Sequence, residues 1–88
     1  MAAKRRFGYF TLPILHRGAL VGRLDPKAHR ALGQFEVKAI ALEPGVAATD
    51  ELVTDLAAAL RRLAAWHGTP ELIIGRSEPA DLAARLLA

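Results

Sequence analysis

Four charged side chains, Arg23, Asp25, Lys27 and Arg30, punctuate the segment LVGRLDPKAHR at residues 20–30. On an extended chain Arg23, Asp25 and Lys27 project from one face, because successive side chains of a strand alternate sides. A guanidinium fork donates two parallel hydrogen bonds to a phosphate, which makes such a row a candidate contact for a polyanion. Arg17 and the amino-terminal run Lys4-Arg5-Arg6 add to the same basic set. The competing use of these charges is structural: a strand whose outer face is solvated and whose charges pair with a neighbouring strand.

Catalytic chemistry is harder to build. His16, His29 and His67 fall in or beside expected turns, without the close spacing of metal ligands. Ser77 is the only serine and precedes Glu78-Pro79, where it serves better as a helix cap than as a nucleophile. Asp25 and Glu36 are the one close carboxylate pair that a hairpin would make. Each has a basic neighbour, which favours the ionised form and argues against general-acid work. There is no phosphate-binding loop and no dinucleotide fingerprint, and with no cysteine there is neither a disulfide framework nor thiolate chemistry. No metal and no cofactor is expected.

The elements that must position these groups follow from patterning over 88 residues, enough for one domain with a modest core. Residues 1–6 read as a basic tail, and residues 7–88 as a single domain. Strand one is expected over 7–15, where Phe10, Leu12 and Ile14 alternate with Tyr9, Thr11 and Pro13. Pro13 removes a ladder donor and marks an edge or a bulge. His16-Arg17-Gly18-Ala19 reads as a hairpin turn with Gly18 at positive φ, followed by strand two over 20–28, a turn over 29–33 and strand three over 34–42. Glu43-Pro44-Gly45 closes the sheet run. Thr49 caps a helix whose first turn holds Asp50 and Glu51, and Leu52, Leu56, Leu60 and Leu63 form its apolar stripe. Gly68 and Pro70 stop it. A fourth strand over 71–75 and a short helix beginning at Ser77-Glu78-Pro79 complete the order β-β-β-α-β-α. The expectation is an α+β domain with a curled, mainly antiparallel sheet of three to four strands on one long amphipathic helix.

One register of strands two and three sets Lys27 opposite Glu36 and Asp25 opposite Lys38, with Leu24, Pro26 and Ala28 facing Ala39, Val37 and Phe35. That ladder accounts for four of the charges. Arg23, facing Ile40, and Arg30, in the turn, are left as an unpaired basic set with Arg17, Lys4, Arg5 and Arg6; Lys27 is claimed by both uses. Charge is also segregated along the chain: residues 1–38 hold eight Lys/Arg and two Asp/Glu, net +6, whereas residues 39–88 hold four and seven, net −3. A basic half of this kind fits nucleic acid or another polyanion. No segment is long and apolar enough for a signal peptide or a membrane span, and the expected location is the cytoplasm.

GYFTLPIL, LVGRLDPKAHR, FEVKAIALEPG and LAAALRRLAAWHG, taken in that order over about residues 7–75, resemble the C-terminal segment of the bacterial winged-helix, YcaQ-like DNA glycosylases. These enzymes excise alkylated bases and unhook interstrand crosslinks. The carrying residues are Tyr9, Leu12-Pro13, and Gly22-Arg23-Leu24-Asp25 with Lys27-Ala28 and Arg30. The family's catalytic Gln-x-Gln or Gln-x-Asp motif lies upstream of this segment, and Gln34 is the single glutamine here, so no catalytic residue carries across. The resemblance implies a partly barrel-like module that packs on a DNA-binding body and adds basic surface. The reading is a noncatalytic accessory module that binds DNA nonspecifically through Arg17, Arg23, Lys27, Arg30, Lys4, Arg5 and Arg6. The alternative is an interaction module, closing a homodimer or docking on a larger glycosylase-like protein through Trp66, Leu82, Leu86 and Leu87.

Overall fold

A computed structural model describes residues 11–88. The expected tail at 1–6, with Lys4, Arg5 and Arg6, and the expected start of strand one at 7–10 lie outside the described residues. The fold is α+β, in the order expected: β1 (Leu12–His16), β2 (Ala19–His29), a 3-10 turn (Arg30–Leu32), β3 (Gln34–Leu42), α1 (Asp50–Trp66), β4 (Glu71–Glu78) and α2 (Leu82–Leu87). The sheet order is β1-β2-β3-β4, with β1–β2 and β2–β3 antiparallel and β3–β4 parallel. The parallel pair follows from the connection: a full helix carries the chain back along the sheet between β3 and β4.

The β1–β2 hairpin turns on two residues, Arg17 (φ 53°) and Gly18 (φ 81°). Positive φ at both central positions matches the right-handed twist of the flanking strands, and glycine supplies it without steric cost. Arginine does not, so Arg17 holds a left-handed conformation that costs about 1 kcal/mol.

α1 has the ends its sequence announces. The Thr49 hydroxyl accepts from the Leu52 N–H at 3.1 Å, and Asp50 and Glu51 occupy the first turn. At the other end the Gly68 N–H donates to the Ala65 carbonyl and the Thr69 N–H to the Ala64 carbonyl, at 3.0 and 2.9 Å. These two bonds satisfy carbonyls that the helix leaves open. Leu52, Val53, Leu56, Leu60 and Ala64 face the sheet, where Ile14, Val21, Leu24, Phe35, Val37, Ile40 and Leu72 complete the core.

Two expectations are corrected. First, β4 runs three residues beyond the expected 71–75, to Glu78. Ser77 therefore lies in the strand, yet its hydroxyl still caps the last helix, accepting from the Ala83 N–H at 3.0 Å. Second, the β2–β3 register breaks between Asp25 and Pro26. Lys27 pairs with Glu36, Ala28 with Phe35 and Pro26 with Val37 as expected, but Asp25 stands opposite Ala39, Leu24 opposite Ile40 and Arg23 opposite Ala41. Lys38 is the extra residue of a β-bulge. Proline has no N–H for the ladder, and within sheets it is confined to edges and bulges. The bulge lets Phe35 and Val37 on one side of it, and Ile40 and Leu42 on the other, all face the helices. Gly75 accompanies it on β4, where a Cβ would stand 2.5 Å from the Lys38 carbonyl oxygen.

Candidate nucleic-acid interface

β2 presents Arg23, Asp25, Lys27 and His29 on the sheet face opposite the helices, in register with Ala41, Ala39, Glu36 and Gln34 of β3. The row exists, but its members differ in what they touch. The Arg23 guanidinium donates to one carboxylate oxygen of Glu43, at 2.9 Å from Nη2 and 3.3 Å from Nε. Glu36, which faces Lys27 across the ladder, is hydrogen-bonded to His29 instead, at 2.8 Å. Arg17, at the hairpin tip, pairs with Glu51 of α1, and the neighbouring His16 pairs with Asp55 at 2.8 Å.

The expected unpaired set is therefore divided. Arg17 and Arg23 have carboxylate partners; Lys27 and Arg30 are exposed and have none among the described residues. Lys38, expected to pair with Asp25, is exposed on the bulge and likewise has no such partner among the described residues. The physical reason is that the acidic half of the chain folds back over the basic half. Glu43 and Glu51 reach their arginines across 20 and 34 residues of sequence. Charge segregated along the chain is largely mixed in space. Such surface pairs contribute only about 0–1 kcal/mol each, but they do lower the field a phosphate would meet.

What remains is a polarity along the sheet. The hairpin tip adjoins the N-terminal turns of α1, with Asp50, Glu51 and Asp55. The opposite end, at the 3-10 turn, adjoins the C-terminal turns of α1, because the Glu71 N–H bonds the Gly33 carbonyl at 3.0 Å and the His67 ring stacks on Phe35. Arg61 and Arg62, in the closing turns of α1 with Arg62 lining the groove toward β1, are exposed and without carboxylate partners among the described residues. Lys27 and Arg30 lie at the 3-10 end of the sheet, Lys27 on the face turned away from the helices. The acids at that end are Glu36, bonded to His29, and Glu71, bonded to Gln34 at 3.3 Å. Arg61 and Arg62 were legible in the sequence only as residues of the helix's closing turns.

The expected interface residues are also divided. Leu82 and Leu86 are fully buried: α2 folds back so that they fill the core. Arg85 fastens the helix there, donating to the Ala48 carbonyl at 2.8 Å and to Asp50 at 2.9 Å. These two leucines are corrected to core residues. Leu87 and Trp66 are exposed, as an interface would need.

Two open grooves lie among the described residues. One, of about 240 Å³, runs between β1 and α1 and is lined by Leu15, His16, Arg17, Asp55, Ala59 and Arg62 among others. The other, of about 200 Å³, lies over Pro13, Leu20, Gly22 and the Arg23–Glu43 pair. Among the described residues no three His, Asp or Glu side chains gather as a metal site would require. No helix among them is long and apolar enough to cross a membrane.

The arrangement is that of a small α+β module, a four-stranded sheet with α1 and α2 packed on one face. The chain belongs to the DNA glycosylase AlkZ-like family, whose model matches residues 1–66. The match covers β1 to β3 and all of α1. It bears out the resemblance read from the sequence and ties the chain to a family of DNA-repair glycosylases. No solved structure matches the chain.

Proposed function

We propose that the chain is a noncatalytic accessory module that holds the phosphate backbone of DNA at the 3-10 end of its sheet. The observation that carries the reading is that Lys27 and Arg30, one at the end of β2 and one in the 3-10 turn that follows it, are exposed and without carboxylate partners among the described residues, in a chain of a DNA glycosylase family. Cations of this kind position a protein on DNA without reading its sequence. Arg17 and Arg23 contribute less, because each already shares its charge with a glutamate. Lys4, Arg5 and Arg6 would add backbone contacts from the amino terminus. Gln34 is occupied by Glu71 on β4 and offers no counterpart to the family's catalytic glutamine pair.

The test is fluorescence anisotropy of a labelled 20-base-pair duplex at two salt concentrations. Each phosphate neutralised contributes about −0.9 to the slope of log K against log salt. The double variant Lys27→Ala/Arg30→Ala is expected to make the slope shallower by about 1.8, and Arg17→Ala/Arg23→Ala by much less. An undetectable complex at low salt, or equal slopes for both variants, defeats the proposal.

A second reading has its own observation. Leu15 and Leu20 are cross-strand partners on the hairpin, 67% and 54% exposed. This apolar patch suits a larger glycosylase-like body or a second copy of the chain. Sedimentation velocity over a wide concentration range tests the self-association form: a monomer throughout removes it.

A further inference from the structure

Trp66 is 79% exposed, an unusual state for the largest apolar side chain of a small domain. It is nonetheless held. Its ring meets that of His67 edge-on, with centroids 5.0 Å apart and planes at 82°. His67 in turn lies nearly parallel to Phe35 at 5.7 Å, and Phe35 is 2% exposed. The His67 backbone is fixed as the α1 C-cap, its N–H donating to the Leu63 carbonyl at 3.1 Å. Three rings thus step from the core to the solvent, and the outermost is braced rather than loose. A braced aromatic surface loses little side-chain freedom when a ligand stacks on it.

The surroundings of the indole are cationic. Arg62 precedes it by four residues, one helical turn, and Arg61 lies beside Arg62; neither has a carboxylate partner among the described residues. The nearest acid before it on the helix is Asp55, eleven residues earlier and already bonded to His16. A ligand with a flat apolar face joined to an anion complements this surface, and a nucleotide is such a ligand. In duplex DNA an internal base already has both faces stacked. A protruding indole therefore reaches only a base that is unpaired, terminal or extruded.

We infer that Trp66 is a stacking platform for an unpaired nucleobase, with Arg61 and Arg62 on the adjoining phosphates. The inference rests on the DNA-binding reading and narrows it from backbone contact to recognition of opened DNA. Trp66 is the only tryptophan of the chain, so its own emission reports directly on the site.

The experiment titrates the full 88-residue chain with a 15-nucleotide oligo(dT) and, separately, with an unnicked duplex closed at both ends by hexaethylene-glycol linkers in place of nucleotide loops. Indole emission and the anisotropy of a label on each DNA are read together, for the wild type, Trp66→Ala and Trp66→Tyr. Oligo(dT) is expected to quench the indole. Trp66→Ala should bind the strand about 5- to 150-fold more weakly, the loss of one stacked base, while Trp66→Tyr keeps most of the affinity. Binding to the closed duplex stem should change less than twofold with either variant. Strand binding that leaves the emission unchanged and is indifferent to Trp66→Ala overturns the inference while sparing the DNA-binding reading. Binding to neither DNA overturns both. A concentration-dependent self-association abolished by Trp66→Ala, with DNA binding unaltered, makes the indole a protein contact and likewise refutes the inference.

Discussion

Gly22→Ala tests how tightly the sheet is drawn together beneath the charged row. A Cβ at Gly22 would stand 2.4 Å from the Ala41 carbonyl oxygen and 3.1 Å from the Leu42 Cα. Ordinary contact needs roughly 3.4 Å or more, so the strands would have to part by about 1 Å. Both obstructing atoms are backbone, and no side-chain rotation relieves them. Nor can β3 retreat freely, because Ile40 is buried on its inner face and β4 is bonded to its far edge. Next to the site the Glu43 N–H donates to the Val21 carbonyl at 2.8 Å, a bond the same movement would stretch. Overpacking of this kind costs about 1–3 kcal/mol. Alanine also restricts the unfolded chain, which offsets about 0.4–1 kcal/mol. The net expectation is a loss of about 1–2 kcal/mol, and with an m-value of roughly 1 kcal/mol/M the urea midpoint should fall by about 1–2 M. Gly75→Ala, with 2.5 Å to the Lys38 oxygen, should cost less, because among the described residues β4 is an edge strand that pairs only with β3 and can move outward. A Gly22→Ala midpoint within about 0.3 M of wild type, at unchanged slope, would refute the reasoning.

Three further outcomes are expected. Thr49→Ala removes the oxygen that accepts from Leu52 and should lower stability by about 1 kcal/mol in a thermal melt, with Thr49→Ser restoring most of it. Leu86→Ala should cost about 2–5 kcal/mol in urea unfolding, since the side chain is fully buried; a loss under about 0.5 kcal/mol would return Leu86 to the surface role read from the sequence. Arg17→Asn places a residue tolerant of positive φ in the hairpin turn and should leave stability within about 0.5 kcal/mol of wild type or raise it, because the exposed pair with Glu51 contributes little.

The parts of the fold that depend on neighbours in sequence were legible in it. Thr49, the acids of the first turn, the leucine stripe and Gly68 delimit α1 as written, because capping and periodicity act within a few residues. The element order was equally open, since turns and strand alternation are local. What escaped were facts decided by distant residues. Lys38 could not be told from a ladder residue without knowing that Pro26 would meet β3 there, although the missing donor of Pro26 was the available sign. Leu82 and Leu86 read as a free apolar face because a six-residue helix does not reveal what it packs against. The charged site was half legible. Lys27, claimed in the sequence by both the ladder and the basic set, and Arg30 are exposed cations in the structure, whereas Arg17 and Arg23 look free in the sequence only because Glu51 and Glu43 lie far along the chain.

The bulge at Lys38 leaves the strands keeping different counts. From Val37 to Ala39, β3 advances two residues while β2 advances one, from Pro26 to Asp25; β4 advances two, from Ile74 to Arg76, in step with β3. Deleting Lys38 would square β3 with β2 but slip it against β4, turning the strand beyond Gly75 to the wrong face. Inserting one residue between Asp25 and Pro26 would square the same pair and leave the β3–β4 register untouched. Length change at this point of the sheet thus has a permitted direction: β2 can gain a residue where β3 cannot lose one.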